Sequence, residues 1–236
     1  MKKLVYTLSG VLAMMCAFTA CDNGNADFEI IDVAPSITFG EVGAFFDNAA
    51  NSISITVKDG NEGFSQSTIG SVTYVVNEVV DENTENEITS GSVTATGTLA
   101  TTTIDFAAGS LPPADYKVIV TATDSNGNSD SAEVTFSMFQ GFTTIGIIGD
   151  ATPGGWGADT DMTDVGDGVY EITLALQALS VKFRADDAWD VAWGSTDFPS
   201  GTGDVTGGSP NIPIPEAATY KVTFDTKNAA YNFEKQ

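Results

Sequence analysis

The stretch Tyr116-Lys117-Val118-Ile119-Val120-Thr121-Ala122, with Asp124-Ser125-Asn126-Gly127-Asn128 and Ala132-Glu133-Val134-Thr135-Phe136 after it, decides the fold class. Successive side chains of a strand point to opposite sides of its sheet, so Tyr116, Val118, Val120 and Ala122 share one face. Lys117, Ile119 and Thr121 share the other. Asn-Gly between two such runs supplies the backbone freedom that a tight hairpin turn requires. Upstream, Ile53, Ile55 and Val57 alternate with Ser54 and Thr56 in the same way. No segment sustains an apolar period of 3.6 residues, so the expected class is all-β, built from antiparallel sandwiches.

Leu111, five residues before Tyr116, matches the tyrosine-corner entry to a late strand of an immunoglobulin-like sandwich. Residues 34–138 are therefore expected to form such a domain, with 79–92 as a long polar hairpin loop. Phe139-Gln140-Gly141 punctuates the chain, and a second set of strands opens at Ile145-Gly146-Ile147-Ile148-Gly149. Its other strands are expected at 170–176, 181–185, 191–193, 211–214, 220–225 and 231–233. Pro213 and Pro215 confine their strand to an edge, because proline cannot donate to a ladder. Residues 143–236 thus read as a second antiparallel sandwich.

The 236 residues include 32 acids, 9 bases and no histidine, for a net charge of −23. Such a balance argues against nucleic acid as a partner, since phosphate binding needs a basic footprint. Without histidine there is no Ser-His-Asp or Cys-His machinery and no imidazole-held zinc. Residues 1–20 read as a signal peptide, with Lys2 and Lys3 ahead of an apolar run. The run ends in Phe18-Thr19-Ala20-Cys21, where small residues before a cysteine look like a bacterial lipoprotein cleavage site. Cys21 is then the acylated N-terminus and residues 21–33 a polar tether. Several acyl chains hold a soluble body firmly on a membrane. Cys16 leaves with the leader, so no intramolecular disulfide is expected and core packing alone must hold the fold.

All three tryptophans, Trp156, Trp189 and Trp193, fall in the second half. Trp156 follows Pro153-Gly154-Gly155 and is expected on a loop. The period of two places Trp189, Val191 and Trp193 on one strand face. Lys182, Arg184 and Asp186 alternate with Val181, Phe183 and Ala185 just before them. Indole rings stack on the apolar faces of pyranose sugars, while Lys, Arg and carboxylates bond hydroxyls in the ring plane. The candidate carbohydrate-binding set is Trp156, Lys182, Arg184, Asp186, Trp189 and Trp193. For each tryptophan the competing account is ordinary core, and for the Lys-Arg pair it is a solvated face.

Ile147-Ile148-Gly149-Asp150-Ala151-Thr152-Pro153-Gly154-Gly155-Trp156 resembles the opening of the carbohydrate-binding domains of SusE and SusF. These are outer-membrane starch-binding lipoproteins of Bacteroidetes. The resemblance runs on through Asp159-Thr160-Asp161-Met162, Lys182-Phe183-Arg184-Ala185-Asp186-Asp187-Ala188-Trp189 and Thr219-Tyr220-Lys221-Val222-Thr223-Phe224-Asp225. It implies a non-catalytic module for polysaccharide or maltooligosaccharide, lipid-anchored in the outer membrane beside a glycan transporter complex. This chain has Asp186 where that family usually has Asn, and one such domain where the family strings several.

Asp124-Ser125-Asn126-Gly127-Asn128-Ser129-Asp130 places oxygen ligands at alternate positions, as calcium loops do, without the sixth-position Gly and closing Glu of an EF-hand. A polar turn is the preferred reading and no cofactor is expected. Asp159, Asp161, Asp164 and Asp167 crowd one expected loop, as a cation site or a repulsive tip. The function class competing with glycan binding is an adhesion or scaffold lipoprotein without a sugar site.

Overall fold

Alternating apolar residues from two facing sheets meet in each of two separate hydrophobic clusters. The computed structural model describes residues 32–60, 67–205 and 208–236, so Cys21 and the expected leader lie outside the described residues. Eighteen strands and no helix make up these residues. In the first half, an antiparallel sheet has the order β1 (Ser36–Phe39), β3 (Asn51–Lys58), β6 (Leu99–Phe106). The other has the order β2 (Phe45–Phe46), β8 (Ser129–Phe139), β7 (Ala114–Asp124), β4 (Ile69–Asp81), β5 (Thr84–Val93). Ile53, Ile55 and Ile104 of the first sheet share a buried cluster with Val72, Val118 and Val120 of the second. β2 runs parallel to β8, with Phe45 opposite Met138; the other pairings of these two sheets are antiparallel.

The second half opens with β9 (Ile145–Gly149), flanked by β10 (Gly155–Asp161) and β13 (Ser180–Ala185). Beyond β13 lies β14 (Ala192–Trp193), and β16 (Ile212–Pro213) pairs with β13 as well. The opposing sheet has the order β11 (Thr163–Gly166), β12 (Val169–Leu176), β17 (Ala218–Asp225), β18 (Ala230–Lys235), β15 (Ser200–Thr202). Ile147 and Phe183 meet Val222 and Phe224 in a second cluster. Phe183 lies flat on Phe224, centroids 4.3 Å apart and planes 7° apart. Burying side chains of this size contributes about 1.5–3 kcal/mol each. No cysteine is among the described residues, so that packing carries the stability.

The tyrosine signal corresponds to a real latch. Tyr116 is fully buried and its hydroxyl donates to the carbonyl of Pro112 at 2.8 Å. Tyr220 repeats the device at the same spacing, donating to the carbonyl of Glu216 at 3.0 Å. The Asn-Gly turn between β7 and β8 also forms, with Gly127 at φ 93°. The Asp124 carboxylate is taken up by the turn itself. Asp124 Oδ1 accepts the N–H groups of Asn126 and Asn128, each at 2.9 Å. Asn126 and Asn128 turn their amides to Asp32 Oδ2 at 2.7 and 2.8 Å. Burial raises the Asp124 pKa, but the Asn128 side chain and the turn's backbone N–H groups outweigh that and hold it below its ordinary value. Among the described residues no acidic group of three or more is placed to hold a metal ion.

Two expectations need correction. Residues 79–92 are not a loop: β4 and β5 pair along their length and turn at Glu82-Asn83. β5 is an edge strand with nearly every residue exposed, so it carries no apolar alternation to read. The four aspartates at 159–167 are not on one loop either. Asp159 and Asp161 lie on β10, Asp164 on β11, and Asp167 in the following turn, paired with Lys227.

Candidate functional site

The outer face of the β10–β9–β13 sheet gathers four of the six expected binding residues. Inward and outward positions follow from the register: Phe183 opposes Trp193, and Arg184 opposes Ala192. Phe183 and Trp193 point into the core, so Lys182 and Arg184 point out. Across β9 their partners are Ile148 and Gly146. Ile148 is fully buried although it shares the outward face with Lys182, so that face is itself covered.

Trp193 is core. It is 5% exposed and packs edge-on against Phe142, centroids 5.3 Å apart, and against Phe224 at 5.0 Å. Trp189 is the reverse, at 54% exposed. The expectation that both share one strand face fails because β14 begins only at Ala192. Asp186 and Asp187 have φ of 52° and 53°, a left-handed pair that lifts the chain off the sheet. Trp189 therefore rides on a turn. Trp156 is likewise not on a loop: it lies near the start of β10, in a stretch where pairing to β9 lapses between Gly155 and Thr160. That bulge brings its ring to 6.3 Å from Trp189, tilted by 36°.

Against the Trp189 ring sits Arg184. Its guanidinium lies 4.7 Å from the Trp189 ring centre, within cation–π range. Its Nε donates to Asp159 Oδ2 at 2.9 Å, and Nη2 approaches Oδ1 at 2.6 Å. The Oδ1 contact is one of charge, not of direction, since no N–H points squarely at that oxygen. Both side chains are out of water, 8% and 2% exposed. Such a pair must be mutual, because either charge alone in that place would be costly. Gly146 makes the contact possible: a Cβ on it would lie 2.7 Å from Asp159 Cβ.

Lys182 is half-buried and donates to the carbonyl of Ser209 at 2.5 Å and to its hydroxyl at 2.7 Å. Desolvation lowers its pKa and nearby Asp204 partly opposes that. Asp186 is not brought to the indoles. Its Oδ1 accepts the backbone N–H groups of Thr143 and Thr144 at 2.7 and 2.9 Å, bracing the lead-in to β9. Reading by residue type missed Ser209 as the partner of Lys182 and Gly146 as the gap beside Asp159. A glycine inside a strand run was the available signal for the latter.

A separate cleft of about 290 Å³ is lined by Phe46, Asn48, Gln140, Phe142, Asp164 and Tyr170, among others. It contains none of the six expected residues. Burial raises the Tyr170 pKa, with Asp164 and Asp186 adding to it.

No family model and no curated protein matches this chain. Among solved structures, Spo0M, a sporulation control protein from Bacillus subtilis, is 12% identical over 66% of this chain and 80% of its own, with a TM-score of 0.34. The native conformation of E. coli alpha-2-macroglobulin is 9% identical over 86% of this chain and 16% of its own, with a TM-score of 0.35.

Proposed function

We propose that this chain is a non-catalytic, membrane-anchored glycan-binding protein whose ligand is an α-glucan of the starch type. The observation that supports it is the Trp156–Trp189 pair, two indoles 6.3 Å apart and partly open to solvent, with a buried arginine against the Trp189 ring. Indole faces stack on the apolar faces of sugar rings. Two rings tilted by 36° suit neighbouring sugars that are not coplanar, as in a helical α-glucan, better than a flat ribbon. In this reading residues 143–236 are the binding module and residues 34–138 an immunoglobulin-like spacer. Cys21 carries the lipid that fixes the body to the outer membrane, where bound glycan is passed to a transporter complex. Lys182 adds a donor at the rim, while Trp193 and Asp186 support the module without touching the sugar.

Titrating the purified protein with maltoheptaose while following tryptophan fluorescence tests this. A saturable shift that Trp156→Ala and Trp189→Ala each weaken by roughly 5- to 150-fold is expected, by analogy with base stacking on aromatic side chains. Cellohexaose should bind less well. An unresponsive wild-type protein, or unchanged affinity in both variants, would return the chain to the adhesion or scaffold reading.

A further inference from the structure

We infer that Asp159 is a positioning residue for the paired indoles, acting through Arg184, and that Gly146 gives it the room to do so. The functional consequence rests on the glycan-site reading; the positioning itself rests on geometry. Trp189 lies on a turn, outside any ladder, and is more than half exposed. Ala185 N–H to Val191 O and Ala188 N–H to Ala185 O, each at 3.0 Å, close that turn, but they leave the rotamer of the ring free. The ring lies against the Trp156 ring and the Arg184 guanidinium. Arg184 is in turn held by Asp159, with both side chains almost wholly buried.

The ion pair joins strands that do not pair with each other. Asp159 belongs to β10 and Arg184 to β13, and β9 runs between them. Their charged groups meet above β9 at Gly146, which stands directly opposite Arg184 in the register. A side chain there would collide with Asp159, the added Cβ lying 2.7 Å from its Cβ and 3.1 Å from Oδ2. Asp159 stands three residues beyond Trp156 on the same bulged segment, and Arg184 stands five residues before Trp189 on the strand that feeds its turn. The two segments that carry the indoles are therefore cross-linked by one charge pair. Without it each ring keeps its own rotamers, and binding must bear the cost of ordering them.

Asp159→Asn keeps the size and removes the charge; Gly146→Val obstructs the same contact from the other side. Exciton-coupled circular dichroism of the two indoles, maltoheptaose affinity and thermal melting are measured on each. The expected result is loss of the indole coupling and about three- to thirtyfold weaker binding, in the range of a desolvated cation–π contact. If Asp159→Asn does not fold, the double variant Asp159→Leu with Arg184→Met removes both charges, a change that folds often tolerate. It should show the same two losses. A folded variant with unchanged indole coupling overturns the proposal, even if its melting temperature falls, because that is the mark of a merely structural pair. If the wild-type protein does not bind maltoheptaose, the glycan reading falls, and the coupling signal still decides the positioning.

Discussion

Truncating Trp189 and Trp193 separately to alanine should give opposite results. Trp193 is 5% exposed and wedged between Phe142 and Phe224. Removing a buried aromatic ring of this kind costs about 3–5 kcal/mol through lost transfer energy and the cavity left behind. For a folded body of this size each kcal/mol lowers the melting temperature by roughly 2–4 °C, so Trp193→Ala should fall by roughly 6–20 °C. Trp189 is 54% exposed and has half of that burial to lose. Half of that cost is about 1.5–2.5 kcal/mol, so Trp189→Ala should fall by roughly 3–10 °C, about half the loss of Trp193→Ala. Affinity should move the other way. Stacking loses about 1–3 kcal/mol on truncation, by analogy with bases on aromatic platforms, so Trp189→Ala should bind maltoheptaose roughly 5- to 150-fold more weakly. Trp193→Ala, measured below its melting temperature, should bind within about threefold of wild type. Scanning fluorimetry and isothermal titration on the two variants supply both axes. A Trp193→Ala protein that melts like wild type and binds poorly, beside a Trp189→Ala protein that binds normally, would reverse the two assignments.

A carboxyl whose folded pKa is held below its ordinary value stabilises the fold when ionised, so Asp124 contributes above about pH 4 and that contribution is lost as pH falls through its lowered folded value. Urea midpoints between pH 5 and 2.5 should therefore drop less steeply in Asp124→Asn than in wild type. Tyr116→Phe and Tyr220→Phe each remove one hydroxyl bond to a carbonyl four residues upstream, and each should cost about 1 kcal/mol in denaturant unfolding. Cys21→Ala should abolish acylation and leave the protein out of the membrane fraction; an exported wild-type chain that is unacylated and soluble would contradict the anchor.

The fold was largely legible because a sheet buried on one face repeats every two residues. β3, β7 and β17 all announce themselves in this way, and Tyr116 does so by its corner. The period fails where the chain leaves the sheet. Counting back from Trp193 to Trp189 assumes an extended backbone, and two successive left-handed aspartates at 186 and 187 break that assumption. β5 was illegible for the opposite reason: it is a strand, but an exposed edge leaves its composition free to look like a loop. In the candidate site, residue type marked Arg184 and the three tryptophans as candidates but could not tell core from surface among them. Which ring faced water depended on where β14 begins. The Arg184–Asp159 pairing depended on a bulge in β10 and on a glycine in a strand between them, and neither separation in sequence nor residue type marks these.

The parallel pairing of β2 with β8 sets how the first half answers a pull. Tension that enters through β2 and leaves through the end of β8 draws the two strands along each other's length. The bonds around Phe45–Met138 and Phe46–Phe139 are then loaded side by side and must give way together. A hairpin pulled from its open end would instead unzip one bond at a time. The shortest pairing in this half is thus a mechanical clasp, and weakening it should lower the force at which the half yields far more than it lowers the resting stability.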